Sequence, residues 1–167
     1  MNDLLVLGRP SSPTKFAPCD LRALAISAVR IAEEGVAGSD GRVRVRSDGP
    51  LPPVVGDPAK LAQVLINLLQ NALSISPEGT PVEVEVSLEG PMAQVQVRDQ
   101  GPGIAQDFLP RLFQPFQSMR KGGTGLGLAI VQKIVADHGG TVEAANNDPP
   151  PGATFTVRIP LAWQGEG

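Results

Sequence analysis

The segment from residue 57 to residue 99 limits the possible folds most strongly, because a pattern typical of a helix is followed directly by two patterns typical of strands. Asp57 and Pro58 stand in the preferred cap and first positions of a helix that we expect to continue to Ser74. Alternating apolar residues at 82–88 and 93–97, with turn residues between them, predict a hairpin. The helix carries an apolar stripe that needs a partner layer, formed by Leu61, Val64, Leu65, Leu68, Leu69, Ala72 and Leu73. A helix and a hairpin that each bury one face indicate a helix layer packed on a sheet.

A second helix is expected upstream, where Asp20 stands in a cap position and the helical pattern runs to about Glu34. Its predicted apolar stripe consists of Leu21, Leu24, Ala25, Ala28, Ile31 and Ala32. The alternation from Arg42 to Arg46 then predicts a strand that places three arginines on one face. A solvated strand face explains such arginines more often than a ligand site does, and we adopt that interpretation.

The C-terminal part of the chain predicts two more helices and two more strands. A short helix is expected near 105–113, and a long one from Gly125 to about His138, ended by the two glycines that follow. Alternating residues predict the last strands at 141–145 and 155–159. The order of elements predicts an α+β fold, a two-layer α/β sandwich in which a mixed sheet of about five strands carries about three helices on one face.

Composition limits the classes of partner and site. A chain of 167 residues supports one domain, which we place at 16–162, with a lead-in at 1–15 and a tail at 163–167. A net charge of −3 argues against nucleic acid as a partner. One cysteine, Cys19, and one histidine, His138, exclude an internal disulfide and metal centres built from several such ligands. Because no long apolar run and no signal-peptide pattern occurs, we expect a soluble, cytoplasmic piece without direct membrane contact.

Two asparagines mark the polar side of the helix that begins at Asp57. Asn67 and Asn71 stand one turn apart on the side opposite the apolar stripe. Amide oxygens are hard ligands that suit Mg²⁺, which keeps several waters and takes few protein groups beside phosphate oxygens. The same amides could instead satisfy a buried backbone, and the spacing alone leaves both interpretations open.

Asp99 continues the buried face of the second hairpin strand. A carboxylate beside a core face is costly without partners, so a ligand amine or an ordered water is expected there. Hydrogen bonds from its own turn are the alternative explanation.

Two glycine-bearing segments, 99–104 and 122–131, serve either an anion or turns alone. The second one opens a helix, where free main-chain amides attract phosphate, so it fits a phosphate better than a turn alone. Leu128 stands where a dinucleotide fingerprint requires its last glycine, and no P-loop pattern occurs in the chain.

Four motifs in order form a joint pattern that is far more specific than its parts: NLLQNAL at 67–73, DQGPGI at 99–104, LFQPF at 112–116 and GGTGLGLAIV at 122–131. The pattern resembles the nucleotide-binding catalytic domain of sensor histidine kinases, in the wider group that includes DNA gyrase, MutL and heat-shock chaperone ATPases. The similarity covers about residues 16–161. The opening NDLLVLGRP resembles the end of the dimerisation helix that precedes this domain in nitrogen-regulation-type kinases. The resemblance implies that ATP and Mg²⁺ are the cofactors.

The resemblance also implies roles for the matching residues. Asn67 and Asn71 match the asparagine box, whose second asparagine holds magnesium, and both are assigned to the metal and to catalysis. Asp99 matches the aspartate that accepts a hydrogen bond from the adenine amino group. Gly101 and Gly103 match the glycines that let the main chain pass close beneath the purine, and Ile104 is assigned to nucleotide binding beside them.

A mobile lid is the next implied feature. Phe113 and Phe116 match the phenylalanine box at its base, and the lack of periodicity from Gln114 to Gly123 predicts motion between open and closed states. Arg120, followed by Lys121, stands where a lid cation meets the terminal phosphates and is counted among the catalytic residues. The second glycine box, over the phosphates, is matched by Gly123, Gly125 and Gly127. The residues that alternate with these glycines, Thr124, Leu126 and Leu128, are assigned to nucleotide binding with them.

Three positions bear on the chemistry. Ser74 stands where many of these kinases carry a lysine or arginine for a phosphate, and Ala153 where a threonine or serine helps to hold a water beside the adenine; both predict modest affinity. Asn67 stands where the hydrolytic members carry a glutamate that activates water, and an amide cannot act as a general base. The resemblance therefore implies phosphoryl transfer rather than attack by water.

The implied function is that of a protein-histidine kinase catalytic domain. It would bind ATP or ADP and present the γ-phosphate of Mg-ATP to a histidine on a separate dimerisation domain of the same kinase, with a response regulator as an indirect partner. His138, at a helix end beside two glycines, is expected to be a structural cap or a surface residue rather than the acceptor. Two alternatives stay open: an ATP-sensing module that regulates a partner without transfer, and an ATPase coupled to movement, against which the missing glutamate argues.

Overall fold

The computed structural model describes residues 16–47, 49–115 and 127–162. Within these residues the strands are β1 (Ala17–Cys19), β2 (Val43–Ser47), β3 (Val54–Gly56), β4 (Val82–Glu89), β5 (Met92–Arg98), β6 (Thr141–Asn146) and β7 (Ala153–Pro160). The α-helices of the described residues are α1 (Leu21–Gly35), α2 (Pro58–Ile75) and α3 (Gly127–Asp137), and one 3-10 turn covers Leu109–Arg111.

The main sheet has five strands in the order β2-β4-β5-β7-β6. The β2–β4 pair is parallel and the other three pairs are antiparallel, so the sheet is mixed as predicted. In the helix layer, α1 packs on α2 and α2 packs on α3. The predicted two-layer α+β fold is confirmed. A separate two-stranded sheet of β1 and β3, which the sequence pattern did not predict, adjoins it.

The core lies between the helix layer and one face of the sheet. All seven apolar residues predicted for the stripe of α2 are buried. They belong to one cluster with the inward residues of the hairpin and with Phe155 of β7. The opposite face of the sheet is polar and forms a shallow cavity of about 400 Å³, lined by residues that include Glu83, Glu85, Gln96 and Arg98. The sheet therefore has one covered face and one polar face.

Helix ends follow the predicted capping chemistry. The side chain of Asp20 accepts a hydrogen bond from the main-chain N–H of Ala23 at 3.1 Å, at the start of α1. Asp57 does the same for Ala59 at 3.0 Å, at the start of α2. After α3, Gly139 adopts a positive φ of 74°, and the next glycine donates to the carbonyl of Val135 at 2.9 Å. This turn ends the helix as a glycine C-cap does.

Three local predictions were wrong. Ile31 is 50% exposed, because the face that α1 buries follows the small side chains Ala25, Ala28 and Ala32. The short helix expected near 105–113 is only the 3-10 turn, since Pro110 lacks the N–H that would extend an α-helical ladder.

The third wrong prediction concerns Arg42, which does not share a solvated face with Arg44 and Arg46. It precedes β2 and is only 8% exposed. Its guanidinium donates to the carbonyls of Thr80 at 2.9 Å and Pro77 at 3.1 Å, in the segment after α2. Arg42 is thus a buried side chain that binds main-chain carbonyls through charge-assisted hydrogen bonds.

No helix among the described residues combines the length and the apolar character needed to cross a membrane.

Candidate nucleotide site

The polar face of α2 meets the start of α3. Asn67 is half-buried, and its Nδ2 donates to the carbonyl oxygen of Gly127, the first residue of α3, at 3.3 Å. This contact engages the donor end of the Asn67 amide and leaves its oxygen as the end that can face a cation. The predicted asparagine face and the predicted glycine-opened helix are therefore brought together.

Asn71 lies one turn further along α2 and is also half-buried. Its Nδ2 is buried and makes no hydrogen bond within the part of the chain that the structure describes. A buried polar atom without a partner is rare and costly, and it is a common mark of a ligand position. Among the described residues, the Nδ2 of Asn71 therefore does not satisfy a buried main-chain group, which was one of the two interpretations of this residue.

Asp99 is 2% exposed and is held by main-chain groups on two sides. Its Oδ1 accepts hydrogen bonds from the N–H groups of Gly101 and Ala153, each at 3.0 Å. Burial raises the pKa of Asp99, and the two hydrogen bonds, from Gly101 and from Ala153, act in the opposite direction. Oδ2 receives no hydrogen bond from the described residues. The alternative explanation, hydrogen bonds from the turn, therefore holds for Oδ1, and a ligand donor at Oδ2 stays a prediction.

The segment after Asp99 rests on the end of α2. The N–H of Gln100 donates to Oγ of Ser76 at 2.9 Å, and a Cβ on Gly101 would lie 3.0 Å from the carbonyl oxygen of Ile75. Gly103 has a φ of +87°, which favours glycine, and Ile104 is buried. The predicted base-side residues therefore lie beyond the C-terminal end of α2, with Asn71 and then Asn67 toward the start of α3.

The end of β6 and the turn that follows it contact the Asp99 segment through residues that the sequence analysis did not single out. Asn146 bonds both main-chain groups of Ile104, and Asn147 donates to the carbonyl of Asp99. Gly152 approaches so closely that a Cβ would collide with the carbonyl oxygen of Asp99. The only sequence signal was the pair of asparagines before a proline-rich stretch.

The structure also gives the contacts and burial of four other residues that the sequence analysis singled out. Phe113 packs edge-on against Phe155, with ring centroids 6.2 Å apart, so it anchors the segment before residue 116 to the core. Leu128 is half-buried against the same core. Ala153 is buried, and Ser74 is exposed in the last turn of α2.

Seven predicted site residues lie outside the described residues: Phe116, Arg120, Lys121, Gly123, Thr124, Gly125 and Leu126. The lid predicted for Gln114 to Gly123 lies largely outside them as well, and its motion stays a prediction.

His138 is buried, at 6% exposure, and is not a surface residue. Its Nε2 accepts the N–H of Asp57 at 3.0 Å, and its Nδ1 lies 2.8 Å from the carbonyl oxygen of Ile134. The histidine thus joins the end of α3 to the start of α2, which fits the predicted structural role.

Known proteins resemble this chain in sequence. The family model described as histidine kinase-, DNA gyrase B- and HSP90-like ATPase matches residues 56–162. The sensor histidine kinase ZraS of Escherichia coli is 34% identical over 161 residues, which are 96% of this chain and 34% of that protein. The chain therefore spans about a third of the length of this curated relative.

Solved structures agree with the fold. The mycobacterial sensor histidine kinase MprB has a TM-score of 0.77 at 30% identity, with 89% of this chain and 99% of that chain covered. Full-length ShkA, solved in complex with AMPPNP, has a TM-score of 0.79 at 30% identity, with 96% and 35% covered. The likeness to nitrogen-regulation-type kinases in particular stays a prediction.

Proposed function

This chain belongs to the histidine kinase-, DNA gyrase B- and HSP90-like ATPase family, and on that premise we propose that it is the ATP-binding catalytic domain of a sensor histidine kinase. The observation that carries the proposal is the buried Nδ2 of Asn71, which has no hydrogen-bond partner among the described residues and lies one turn from Asn67, whose amide contacts the start of α3. A helix start offers main-chain N–H groups and a positive dipole end to phosphates. The solved relative that binds AMPPNP supports an adenine nucleotide as the ligand.

The nucleotide would lie along α2 with its base toward Asp99. Oδ1 of Asp99 is already engaged by two main-chain N–H groups, which fixes the carboxylate and leaves Oδ2 to accept a hydrogen bond from the purine amino group. Gly101, Gly103 and Ile104 would border the base. The phosphates would reach Asn67, Gly127 and Leu128.

Magnesium fits this donor set. No group of three His, Cys, Asp or Glu side chains that could hold a metal occurs among the described residues. Mg²⁺ prefers few protein groups together with phosphate oxygens and water, so the amides of Asn67 and Asn71 would suffice. When bound, the ion neutralises charge on the phosphates.

Transfer is favoured over hydrolysis because an amide at Asn67 cannot remove a proton from water. Phosphoryl transfer depends mainly on positioning and charge neutralisation, which these residues and the lid would supply. Arg120 and Lys121 are proposed for the terminal phosphates and Phe116 for the base of the lid. The second glycine box would cover the phosphates through Gly123, Thr124, Gly125 and Leu126.

The acceptor would be a histidine on a separate dimerisation domain, because His138 is buried and both its ring nitrogens are engaged. A response regulator would receive the phosphoryl group from that domain. We further propose that 16–162 forms the catalytic domain, with a lead-in at 1–15 and a tail at 163–167, and that it works in the cytoplasm without direct contact to nucleic acid or membrane.

Calorimetric titration of Mg-ADP tests nucleotide binding. We expect the wild-type protein to bind and Asp99→Asn to lose binding, because the amide would present a donor toward the purine amino group. Asp40→Asn, a neutralised carboxylate at an exposed position, is the matched control and should bind as the wild type does. Equal binding by wild type and Asp99→Asn, at equal folded content, would remove Asp99 from the site.

Transfer needs its own test, because a sensing module would bind ATP as well. The chain is incubated with labelled ATP, alone and with a purified histidine-containing dimerisation domain from a related kinase. Label on the added domain supports the kinase, and tight ATP binding without transfer to that domain favours the regulatory module.

A further inference from the structure

Two neighbouring asparagines hold both ends of the segment from Asp99 to Ile104. Asn146, the last residue of β6, accepts the N–H of Ile104 on Oδ1 at 2.7 Å and donates from Nδ2 to its carbonyl at 2.9 Å. Asn147 donates from Nδ2 to the carbonyl of Asp99 at 3.1 Å. The two ends of one loop are thus held by two consecutive residues, the last of β6 and the one that follows it.

The amide of Asn147 has only one possible orientation. Its Nδ2 also donates to the carbonyl of Pro151 at 2.9 Å, and its Oδ1 accepts the hydroxyl of Thr154 at 2.6 Å. Because both main-chain partners are carbonyl acceptors, a flipped amide would lose both of those hydrogen bonds, whereas the hydroxyl of Thr154 can donate or accept. Asn147 is 8% exposed, so water does not replace them freely.

The first residue of β7 also holds Asp99 in place. Asn146 pairs with Ala153 in the β6–β7 ladder. Ala153 in turn donates to Oδ1 of Asp99 and accepts the N–H of Asp99 at 2.9 Å. The main-chain N–H, the carbonyl and Oδ1 of Asp99 are therefore all held from the β6–β7 side.

We propose that Asn146 and Asn147 are positioning residues that set the base selectivity of the nucleotide site. They fix the carboxylate of Asp99 relative to the main chain of Ile104, the two groups that would border the purine. The inference rests on the proposed nucleotide-binding function. A displacement of about 1 Å between such groups is enough to weaken an aligned hydrogen bond.

Selectivity separates this role from general support of the fold. Adenine presents an amino donor to the carboxylate of Asp99, whereas hypoxanthine presents a carbonyl oxygen at the same ring position. The phosphate end of the site, at Asn67 and Gly127, makes no described contact with Asn146 or Asn147. A loosened fold would lower both affinities together, but a misplaced carboxylate would lower the preference for adenine.

The experiment compares Mg-ADP and Mg-IDP binding by calorimetry for wild type, Asn146→Ala and Asn147→Ala. The matched control is Gln96→Ala, which removes an amide whose contact with Thr156 lies on the polar face of the same sheet. We expect wild type to prefer ADP by about 10- to 100-fold, the range for one hydrogen bond to a charged group. In each asparagine variant the preference should fall by about fivefold or more, and in the control it should stay unchanged.

Two results would overturn the inference: an unchanged ADP to IDP ratio in both folded asparagine variants, or a wild type that binds both nucleotides equally. A wild type that binds neither nucleotide would instead contradict the proposed function itself. If Asn147→Ala does not fold, Thr154→Val removes only the hydroxyl that donates to the Asn147 amide. The ratio of ADP to IDP affinity in Thr154→Val, together with the ratio in Asn146→Ala, then tests the inference.

Discussion

Replacement of His138 by alanine should weaken the junction between α2 and α3. The imidazole is enclosed between the start of α2 and the end of α3, and Phe16 stacks on it with ring centroids 4.7 Å apart and planes at 15°. Because Nε2 accepts the N–H of Asp57, the ring proton must reside on Nδ1, which then donates to the carbonyl of Ile134. The ring is therefore neutral, and a single tautomer serves both bonds.

The expected loss follows from these contacts. Ile134 keeps a second hydrogen bond to its carbonyl, from the main-chain N–H of His138, so loss of the Nδ1 bond costs about 1 kcal/mol. The N–H of Asp57 loses its acceptor in a partly buried place, which costs about 1–2 kcal/mol. The stack with the exposed Phe16 adds about 0.5 kcal/mol. With some lost packing, we expect His138→Ala to lower the free energy of unfolding by about 3–4 kcal/mol.

Urea unfolding followed by circular dichroism measures this loss. The midpoint should fall while the m-value stays constant, since the same surface is exposed on unfolding. Phe16→Ala is the control, because it removes the stack and leaves both ring hydrogen bonds. It should cost only about 0.5–1 kcal/mol.

Nitrogen NMR tests the tautomer directly. His138 is the only histidine of the chain, so its two ring nitrogens are identified without ambiguity. The neutral Nδ1–H form is expected. A loss below about 1 kcal/mol for His138→Ala, or a ring protonated on Nε2 alone, would refute the reasoning.

Three further perturbations test separate parts of the structure. Arg42→Lys should lower the free energy of unfolding by about 2–3 kcal/mol in urea, because one ammonium cannot reproduce the fork on two carbonyls, and an unchanged midpoint would contradict that. Burial raises the pKa of Asp99, so the folded state favours the protonated carboxyl. The stability that this protonation contributes is present at low pH and is lost as pH rises through the folded pKa. Asp99→Asn can keep both Oδ1 bonds and should therefore be more stable than wild type at about pH 7, with a smaller advantage at about pH 4 in urea unfolding; a constant difference would count against a buried charge. Gly152→Ala should cost about 3 kcal/mol or more, because a Cβ would collide with the main chain of Asp99, whereas Gly90→Ala, with a positive φ and open space, should cost about 1 kcal/mol in the same assay.

The local elements were predictable because their signals lie within a few residues. Asp20 and Asp57 cap the helices that follow them, and the apolar stripe of α2 is buried as its spacing requires. The parity of β5 placed Asp99 on the buried face, and the structure confirms that position. Helix and strand periods determine which side chains face inward before any partner is known.

Positions where two elements compete were less predictable. Ile31 fits the apolar spacing of α1, yet the helix buries its alanines and leaves Ile31 outside. Arg42 continues the alternation of β2, but it turns inward because the carbonyls of Thr80 and Pro77, after α2, lie within its reach. The spacing of apolar residues in a segment does not indicate which other element will pack against that segment.

The sequence by itself therefore determined the three α-helices, the five strands of the main sheet, the two layers that they form, and the four motifs that relate this chain to its family. Only the tertiary structure decided that Asn146 and Asn147 bracket the Asp99 segment, that His138 joins two helices, and that Gly152 must lack a side chain. These contacts join residues far apart in the chain, 42 positions in the case of Ile104 and Asn146 and 81 in that of Asp57 and His138. Their partners become neighbours only when the sheet and the helix layer have packed, so no local pattern records them.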